Sequence, residues 1–162
     1  MTNTPKPVND GRGGIDAFIQ HVQDHAAATP KGWWAQGRFT ITLAYDYCYI
    51  CFADVWNPWR FFKQMSGKPP VRFGTDGFAE ALVDDNDPAR HYTAFIFVGY
   101  WCFTPLAVLI LWAWEILGFL RYGFSWSQAD IRMGYVGIRH GRQVRRHGPR
   151  ILPELIAQDL AR

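Results

Sequence analysis

The chain has 162 residues and a formal net charge of +3, and 49% of its residues are hydrophobic, 19% charged and 17% aromatic. This length suits one domain, and this composition excludes a disordered protein, a collagen-like fibre and a coiled coil rich in Glu and Lys. Only three cysteines are present and the mean hydropathy is −0.14, which excludes a disulfide-stapled scaffold and a bundle of many membrane spans.

The N-terminal region, residues 1–38, is predicted to contain a flexible arm and an amphipathic helix. Proline and glycine without an apolar run are typical of an arm over residues 1–14. From residue 15, apolar side chains recur at helical spacing, which predicts a helix over residues 15–28 that ends at Pro30 and Gly32.

An aromatic segment over residues 39–62 has two interpretations. Alternation at period two from Phe39 to Tyr49 is typical of a strand, whereas eighteen mostly apolar residues over 39–56 are typical of a helix that lies on or enters a membrane. We favour the membrane-associated helix, although Asp46 and Asp54 would each cost roughly 2.5–3.5 kcal/mol at the centre of a bilayer.

Two cysteines in this segment, Cys48 and Cys51, would share one face of such a helix. A pair at this spacing is able to bind a metal or to cycle as a dithiol. A structural metal site needs about four ligands, however, and no second cysteine pair follows. We therefore favour packing of both thiols among aromatic rings.

The region over residues 63–91 is predicted to be a polar connector, with a short helix near residues 77–83. Asp84, Asp85 and Asp87 precede Pro88 at a spacing too loose for a hard cation. We expect an acidic turn that caps the next helix, with Asp87 as the capping residue.

The uncharged run over residues 95–114 is the clearest feature of the sequence, with twenty successive residues that carry no formal charge. A helix of this length covers about 30 Å, the thickness of the hydrocarbon core. Together with the flanking aromatic residues, it predicts one transmembrane helix over residues 92–120. Pro105 would kink this helix, and Glu115 would reach the headgroup layer rather than contact a partner helix.

The C-terminal region, residues 121–162, is predicted to be a basic tail on the cytoplasmic side, because eight arginines stand there against three acidic residues. A basic helix over residues 125–148, weakened by Gly134, Gly137 and Gly141, and a short helix from Pro153 are expected. The arginines expected to contact anionic lipid or an acidic partner are Arg132, Arg139, Arg142, Arg145 and Arg146. We expect no direct nucleic-acid contact.

Residues 68–150 resemble the IcmT/TraK family of type IVB secretion and conjugation membrane proteins. The similar motifs, in order, are Lys68-Pro69-Pro70-Val71-Arg72-Phe73 with Asp76 and Ala79, an aromatic opening at residues 100–103, the exit at residues 120–125, and Arg132, Gly137, Arg139 and Gly141. The residues that match the family motif most directly are Pro70, Arg72, Phe73 and Asp76. The resemblance implies a non-enzymatic component of a DNA- or effector-translocating apparatus.

The functional prediction is therefore a non-enzymatic structural subunit of an envelope-spanning complex in the bacterial inner membrane, without cofactor or metal. Trp101, Pro105 and Trp112 would meet helices of other membrane subunits, because aromatic side chains bury large areas with few rotors. The first alternative is an accessory subunit of a respiratory or photosynthetic complex, with His91 and Cys102 as contacts. The second alternative is a membrane thiol enzyme that uses the cysteine pair.

Overall fold

The computed structural model describes residues 13–51, 57, 60, 69–121 and 126–162, and this part of the chain is mainly helical, as predicted. Its α-helices are α1 (Gly14–Ala28), α2 (Trp33–Cys48), α3 (Pro88–Trp101), α4 (Thr104–Arg121), α5 (Gln128–His147) and α6 (Leu152–Asp159). Two 3₁₀ turns, Glu80–Leu82 and Pro149–Ile151, join them. Most of the predicted arm, Asp54, Lys68 and residues 122–125 of the family exit motif lie outside the described residues.

The contact between α3 and α5 is the most extensive helix contact in the described part of the chain. Gly137 faces Tyr92 and Gly141 faces Ile96, so the two helices run in parallel. A Cβ on Gly137 would lie 2.7 Å from the Tyr92 carbonyl oxygen, and a Cβ on Gly141 would overlap the Ile96 carbonyl oxygen. The glycines that weaken an isolated helix therefore allow the two backbones to touch.

The hydrophobic core lies between α1, α2, α3, α5, α6 and the segment before α3. Phe18 of α1 is fully buried at its centre. Its ring contacts those of Tyr47, Phe73, Phe78 and Tyr92, at centroid distances from 5.1 to 6.3 Å. Edge-on and tilted aromatic pairs add to the free energy of area burial. The predicted apolar stripe of α1 is thus the inner face of the helix.

The segment over residues 69–79 ties the start of α1 to the C-terminus. Backbone N–H groups of Gly14 and Ile15 donate to the carbonyl oxygens of Phe73 and Asp76, at 3.0 and 2.8 Å. The Ala79 N–H donates to the Leu160 carbonyl oxygen at 2.8 Å. The bonds from Gly14 and Ile15 satisfy N–H groups that a helix start otherwise leaves unpaired.

The predicted transmembrane helix over residues 92–120 is wrong as a single helix. α3 ends at Trp101, Cys102 has extended backbone with φ −103° and ψ 151°, and α4 begins at Thr104. Pro105 lies in the first turn of α4, where its missing N–H leaves no bond unmade, instead of kinking a longer helix. None of the described helices combines the length and hydropathy needed for a membrane span.

The segment over residues 39–56 is a helix and not a strand, but the helix ends at Cys48. It also begins earlier than predicted, at Trp33. Tyr49 is left-handed, with φ 60°, so Cys51 lies beyond the helix and does not share a face with Cys48. Leu43, Ala44 and Tyr47 of α2 are buried. Residues 52–56 lie outside the described residues.

The glycine contact between α3 and α5 gives a first prediction. We expect Gly141→Ala to lower the free energy of unfolding by about 1–3 kcal/mol, because the added methyl overlaps backbone and the helices must separate. Gly118→Ala in α4 is the matched control, since its Cβ would meet nothing within 4 Å. It should raise stability by about 0.5–1 kcal/mol through helix propensity. Urea unfolding followed by circular dichroism measures both, and equal effects of the two variants would contradict the role of the contact.

Candidate functional site

The outward side of α4 exposes large apolar side chains along its whole length. On the inward side, Ala107, Leu111 and Glu115 are buried at a spacing of one helical turn. The exposed residues at and along the helix, which we call the α4 apolar face, are Phe103, Leu106, Leu109, Trp112, Ile116, Leu117 and Leu120. Phe103 is 66% exposed and Leu109 64%. A helix of 18 residues is about 27 Å long, so this contiguous patch is of the kind that marks a contact surface.

Aromatic side chains border the α4 apolar face on the side of α5. The Trp112 Nε1–H donates to the Tyr135 hydroxyl at 3.0 Å. The Trp126 ring lies 6.2 Å from the Trp112 ring and stacks on Phe119 at 4.6 Å, both measured between centroids. Rings that combine an apolar body with a polar N–H or O–H favour the boundary between apolar and aqueous phases.

A groove of about 350 Å³ runs between the first turns of α4 and the second half of α5. We call it the arginine groove; its lining residues are Thr104, Val108, Tyr135, Ile138, Arg139, Arg142, Gln143 and Arg146. Arg139 is already paired, because its Nη2 lies 2.7 Å from Asp159 Oδ2. Arg142 and Arg146 make no hydrogen bond or ion pair with the described part of the chain. Two positive charges beside the α4 apolar face are therefore not neutralised by any described residue.

The remaining predicted contact residues differ in their exposure to solvent and in their contacts within the chain. Trp101 is half-buried, and its Nε1–H donates to Thr40 Oγ1 of α2 at 3.2 Å, so it packs within the chain. Pro105 is exposed at the start of α4. Arg145 is exposed and reaches back to the Tyr100 carbonyl oxygen at 3.4 Å, and Arg132 is exposed one helical turn before Tyr135.

The residues of the family motif lie apart from the α4 apolar face. Phe73 is in the aromatic core, and Asp76 contributes its carbonyl oxygen to the start of α1. The Arg72 Nε–H donates to Asp87 Oδ2 at 3.2 Å, and Pro70 is half-buried. Each of the four therefore lies in or beside the segment that joins α1 to the C-terminus.

The acidic turn before α3 forms as predicted, but its capping role is wrong. Asp87 occupies the capping position without a side-chain bond to the helix, because its carboxylate binds Arg72 instead. Asp85 Oδ1 accepts the Asp87 N–H at 2.7 Å. In the described part of the chain, no group of three His, Cys, Asp or Glu side chains is placed to hold a metal ion.

A buried cluster that the sequence did not reveal joins α3, α4 and α5. His91 Nε2 lies 3.7 Å from Glu115 Oε1, and His91 Nδ1 lies 3.8 Å from Asp130 Oδ1. Glu115 is only 7% exposed, so the prediction that it reaches a headgroup layer is wrong. Burial, with the charges of Asp130 and Asp84, raises the pKa of Glu115 to about 7.

The pKa values of Asp130 and His91, the other two members of this cluster, also shift in the direction that disfavours the charged form. Burial, with the charges of Asp85 and Asp84, raises the pKa of Asp130 to about 6. Burial lowers the pKa of His91 to about 4. The cluster therefore disfavours full ionisation and retains a proton near neutral pH.

A second buried network links α3, α5 and α6. The Tyr92 hydroxyl donates to His140 Nδ1 at 2.7 Å, and His140 Nε2 donates to Asp159 Oδ2 at 2.8 Å, in the tautomer that satisfies both bonds. Tyr92 and His140 are fully buried, and burial lowers the pKa of His140. Because neither side chain reaches the surface, this network positions helices and does not present a nucleophile or base to a substrate.

The thiol of Cys48 is enclosed by the protein. Cys48 is buried, its Sγ–H donates to the Arg90 carbonyl oxygen at 3.0 Å, and burial raises its pKa well above the ordinary value. A reactive cysteine needs a lowered pKa and access to solvent. The surroundings of Cys48 thus favour the packing interpretation over the thiol-enzyme alternative.

No family model, curated protein or solved structure matches this chain. The resemblance of residues 68–150 to the IcmT/TraK family stays a prediction from the motif residues, and the function is inferred from the geometry of the described residues.

The buried cluster of α3, α4 and α5 gives a prediction of pH dependence. A carboxyl group whose pKa rises on folding stabilises the fold at low pH, and this contribution is lost as the pH rises through the folded pKa. From about pH 6 to about pH 8, Glu115 should therefore lower the free energy of unfolding by about 1 kcal/mol. Glu115→Gln should remove this decline in urea unfolding measured at both pH values. Glu80→Gln, at an exposed position, should leave the decline in place. An unchanged slope in Glu115→Gln would contradict the raised pKa.

Proposed function

We propose that this protein is a non-enzymatic helical subunit of a bacterial inner-membrane assembly, and that the α4 apolar face attaches it to the membrane surface. The observation that supports the proposal is the row of large apolar side chains on the outward side of α4. In this arrangement α4 lies in the plane of the interface, with its outer side among the acyl chains and its inner side against α5. The span expected from the sequence is thereby replaced by an in-plane attachment.

Energetics favour a bilayer as the contacting phase. Full burial of a Leu or Phe side chain contributes roughly 1.5–3 kcal/mol, so several half-exposed side chains together supply enough for stable attachment. Each basic side chain close to anionic lipid adds roughly 1 kcal/mol. The arginine groove and the Trp112–Tyr135 pair border the same face, as expected for a helix whose sides meet headgroups. A protein partner would need a matching acidic rim around an apolar groove.

The absence of an enzymatic role is part of this proposal. Tyr92 and His140, which the fold brings together, are enclosed and bound to one another. The thiol of Cys48 is likewise enclosed. His91, the contact suggested for a respiratory or photosynthetic accessory subunit, is largely buried beside Glu115 and Asp130, so its ring is not presented to another subunit.

The motif residues narrow the proposal to a type IVB secretion or conjugation apparatus. Support for this step is the order of Pro70, Arg72, Phe73 and Asp76 before an aromatic-headed apolar run and a basic tail that contains glycine. The partners would be other membrane subunits of the apparatus, together with anionic lipid, and the basic C-terminal region would face the cytoplasm. A photocrosslinker placed at Leu109 in host cells would label lipid under this proposal. Labelling of a protein alone would contradict attachment to the bilayer.

Substitution on the α4 apolar face tests the attachment directly. We expect Leu109→Gln combined with Leu117→Gln to weaken binding to anionic vesicles about 30-fold, because each exposed leucine loses about 1 kcal/mol of transfer free energy. Tyr45→Gln, at an exposed position on α2, is the control and should bind as the wild type does. Co-sedimentation with phosphatidylglycerol-containing vesicles measures the binding. Equal binding of the leucine variant and the wild type would rule out the attachment.

A further inference from the structure

The arginine groove has the chemistry of a site for a single lipid headgroup. We propose that it binds one anionic phospholipid, with the phosphate between Arg142 and Arg146 and the acyl chains on the α4 apolar face. This inference rests on the proposed function and extends it, because it names the ligand and the residues that recognise it.

Charge is the first reason for this assignment. Positions 139, 142 and 146 lie on one side of α5, because they are separated by three and four residues. Asp159 neutralises Arg139, whereas Arg142 and Arg146 have no acidic partner in the described part of the chain. None of the described residues that line the groove is acidic. Planar guanidinium groups in pairs recognise phosphate oxygens through two parallel N–H···O bonds each.

The shape of the groove is the second reason. Ile138 lies at the base of the groove and is only 3% exposed, and Val108 of α4 also lines the groove. The interior is therefore apolar below the charged rim. A volume of about 350 Å³ is near the lower limit for small-molecule sites, which suits a headgroup and not a whole lipid. The Thr104 and Tyr135 hydroxyls and the Gln143 amide supply further hydrogen-bonding groups.

Continuity with an apolar surface distinguishes lipid from other phosphate ligands. The groove is lined by Thr104 in the first turn of α4, and both Phe103 and Leu106 are exposed beside that residue. An amphiphile with a phosphate next to alkyl chains matches a basic groove that adjoins an apolar face. Free phosphate would contact only the arginines.

A second basic pocket provides the contrast. It has a volume of about 330 Å³ at the turn between α1 and α2, and its positively charged side chains are Lys31 and Arg150. No residue of α4 lines it. It therefore offers a similar charge without an adjoining acyl surface, which makes it a matched control for loss of charge.

Variants of the two basic pockets test the site. We expect Arg142→Gln with Arg146→Gln to weaken binding to phosphatidylglycerol-containing vesicles about 30-fold at about 0.15 M salt. Lys31→Gln with Arg150→Gln removes the same charge and should weaken binding less than about threefold. Equal losses in the two double variants would overturn the site in favour of diffuse attraction. Circular dichroism melts should be unchanged, because Arg142 and Arg146 make no hydrogen bond or ion pair with any described residue.

A charge-conserving variant separates recognition from simple attraction. Arg142→Lys with Arg146→Lys keeps both positive charges and removes the paired N–H donors. We expect at least about fivefold weaker binding than that of the wild type, as a site that needs bidentate bonds requires. Binding equal to that of the wild type would overturn the assignment of these two arginines as the phosphate ligands.

A monomeric probe separates this inference from the proposed function. Dihexanoyl phosphatidylglycerol, below its micelle concentration, should saturate at one molecule per chain in calorimetric titration and lose affinity in the Arg142→Gln, Arg146→Gln variant. Inorganic phosphate should bind at least about tenfold more weakly, because it makes no contact with Phe103 or Leu106. Equal affinities would overturn the lipid assignment. If the Leu109→Gln, Leu117→Gln variant loses vesicle binding but still binds the probe, the groove and the attachment are each supported. If the wild type does not bind vesicles at all, the attachment alone is refuted.

Discussion

The close parallel contact of α3 with α5 is the constraint on which the rest of the fold depends. With glycine at positions 137 and 141, backbone meets backbone, and the polar groups along the seam are placed at bonding distance. His140 thereby lies against Tyr92, and Arg145 reaches the carbonyl of Tyr100. One turn earlier on α5, Gly134 leaves room for a leucine of α4, because a Cβ there would overlap the Leu111 side chain.

The direction of the helices separates charge along the bundle. Because α3 and α5 run in parallel, their first turns share one end, where acidic groups gather, and the last turn of α5 carries its basic residues to the other end. Both placements are favourable for the helix dipoles. Ser127 accepts the Asp130 N–H at 2.9 Å and anchors the acidic end of α5. The opposite end is consequently basic beside the first turns of α4.

The two sides of α4 have different physical roles. Its inner stripe is narrow and includes a carboxyl group that stands against the His91 ring, which fits a helix covered by protein on that side. Its outer side is apolar and begins beside the guanidinium groups of Arg142 and Arg146, which have no acidic partner among the described residues. A helix with one stripe against its own protein and the other exposed is consistent with the proposed attachment at an interface.

The sequence by itself determined the helical class and α1, whose apolar side chains recur at helical spacing, since periodicity depends on neighbouring residues alone. It also predicted the basic helix that is α5 and, from Pro153, the short helix that is α6. It also predicted Trp112 and the arginines of the groove as contact residues, and this stays a prediction. The break at Cys102 had a local signal in Pro105, which favours a first helical turn. Only tertiary structure decided that Glu115 faces His91 and that Asp159 neutralises Arg139. It also decided that Gly134, Gly137 and Gly141 allow neighbouring helices to pack closely against α5. Periodicity records which side of a helix is apolar, whereas packing between residues far apart in the chain determines what covers that side.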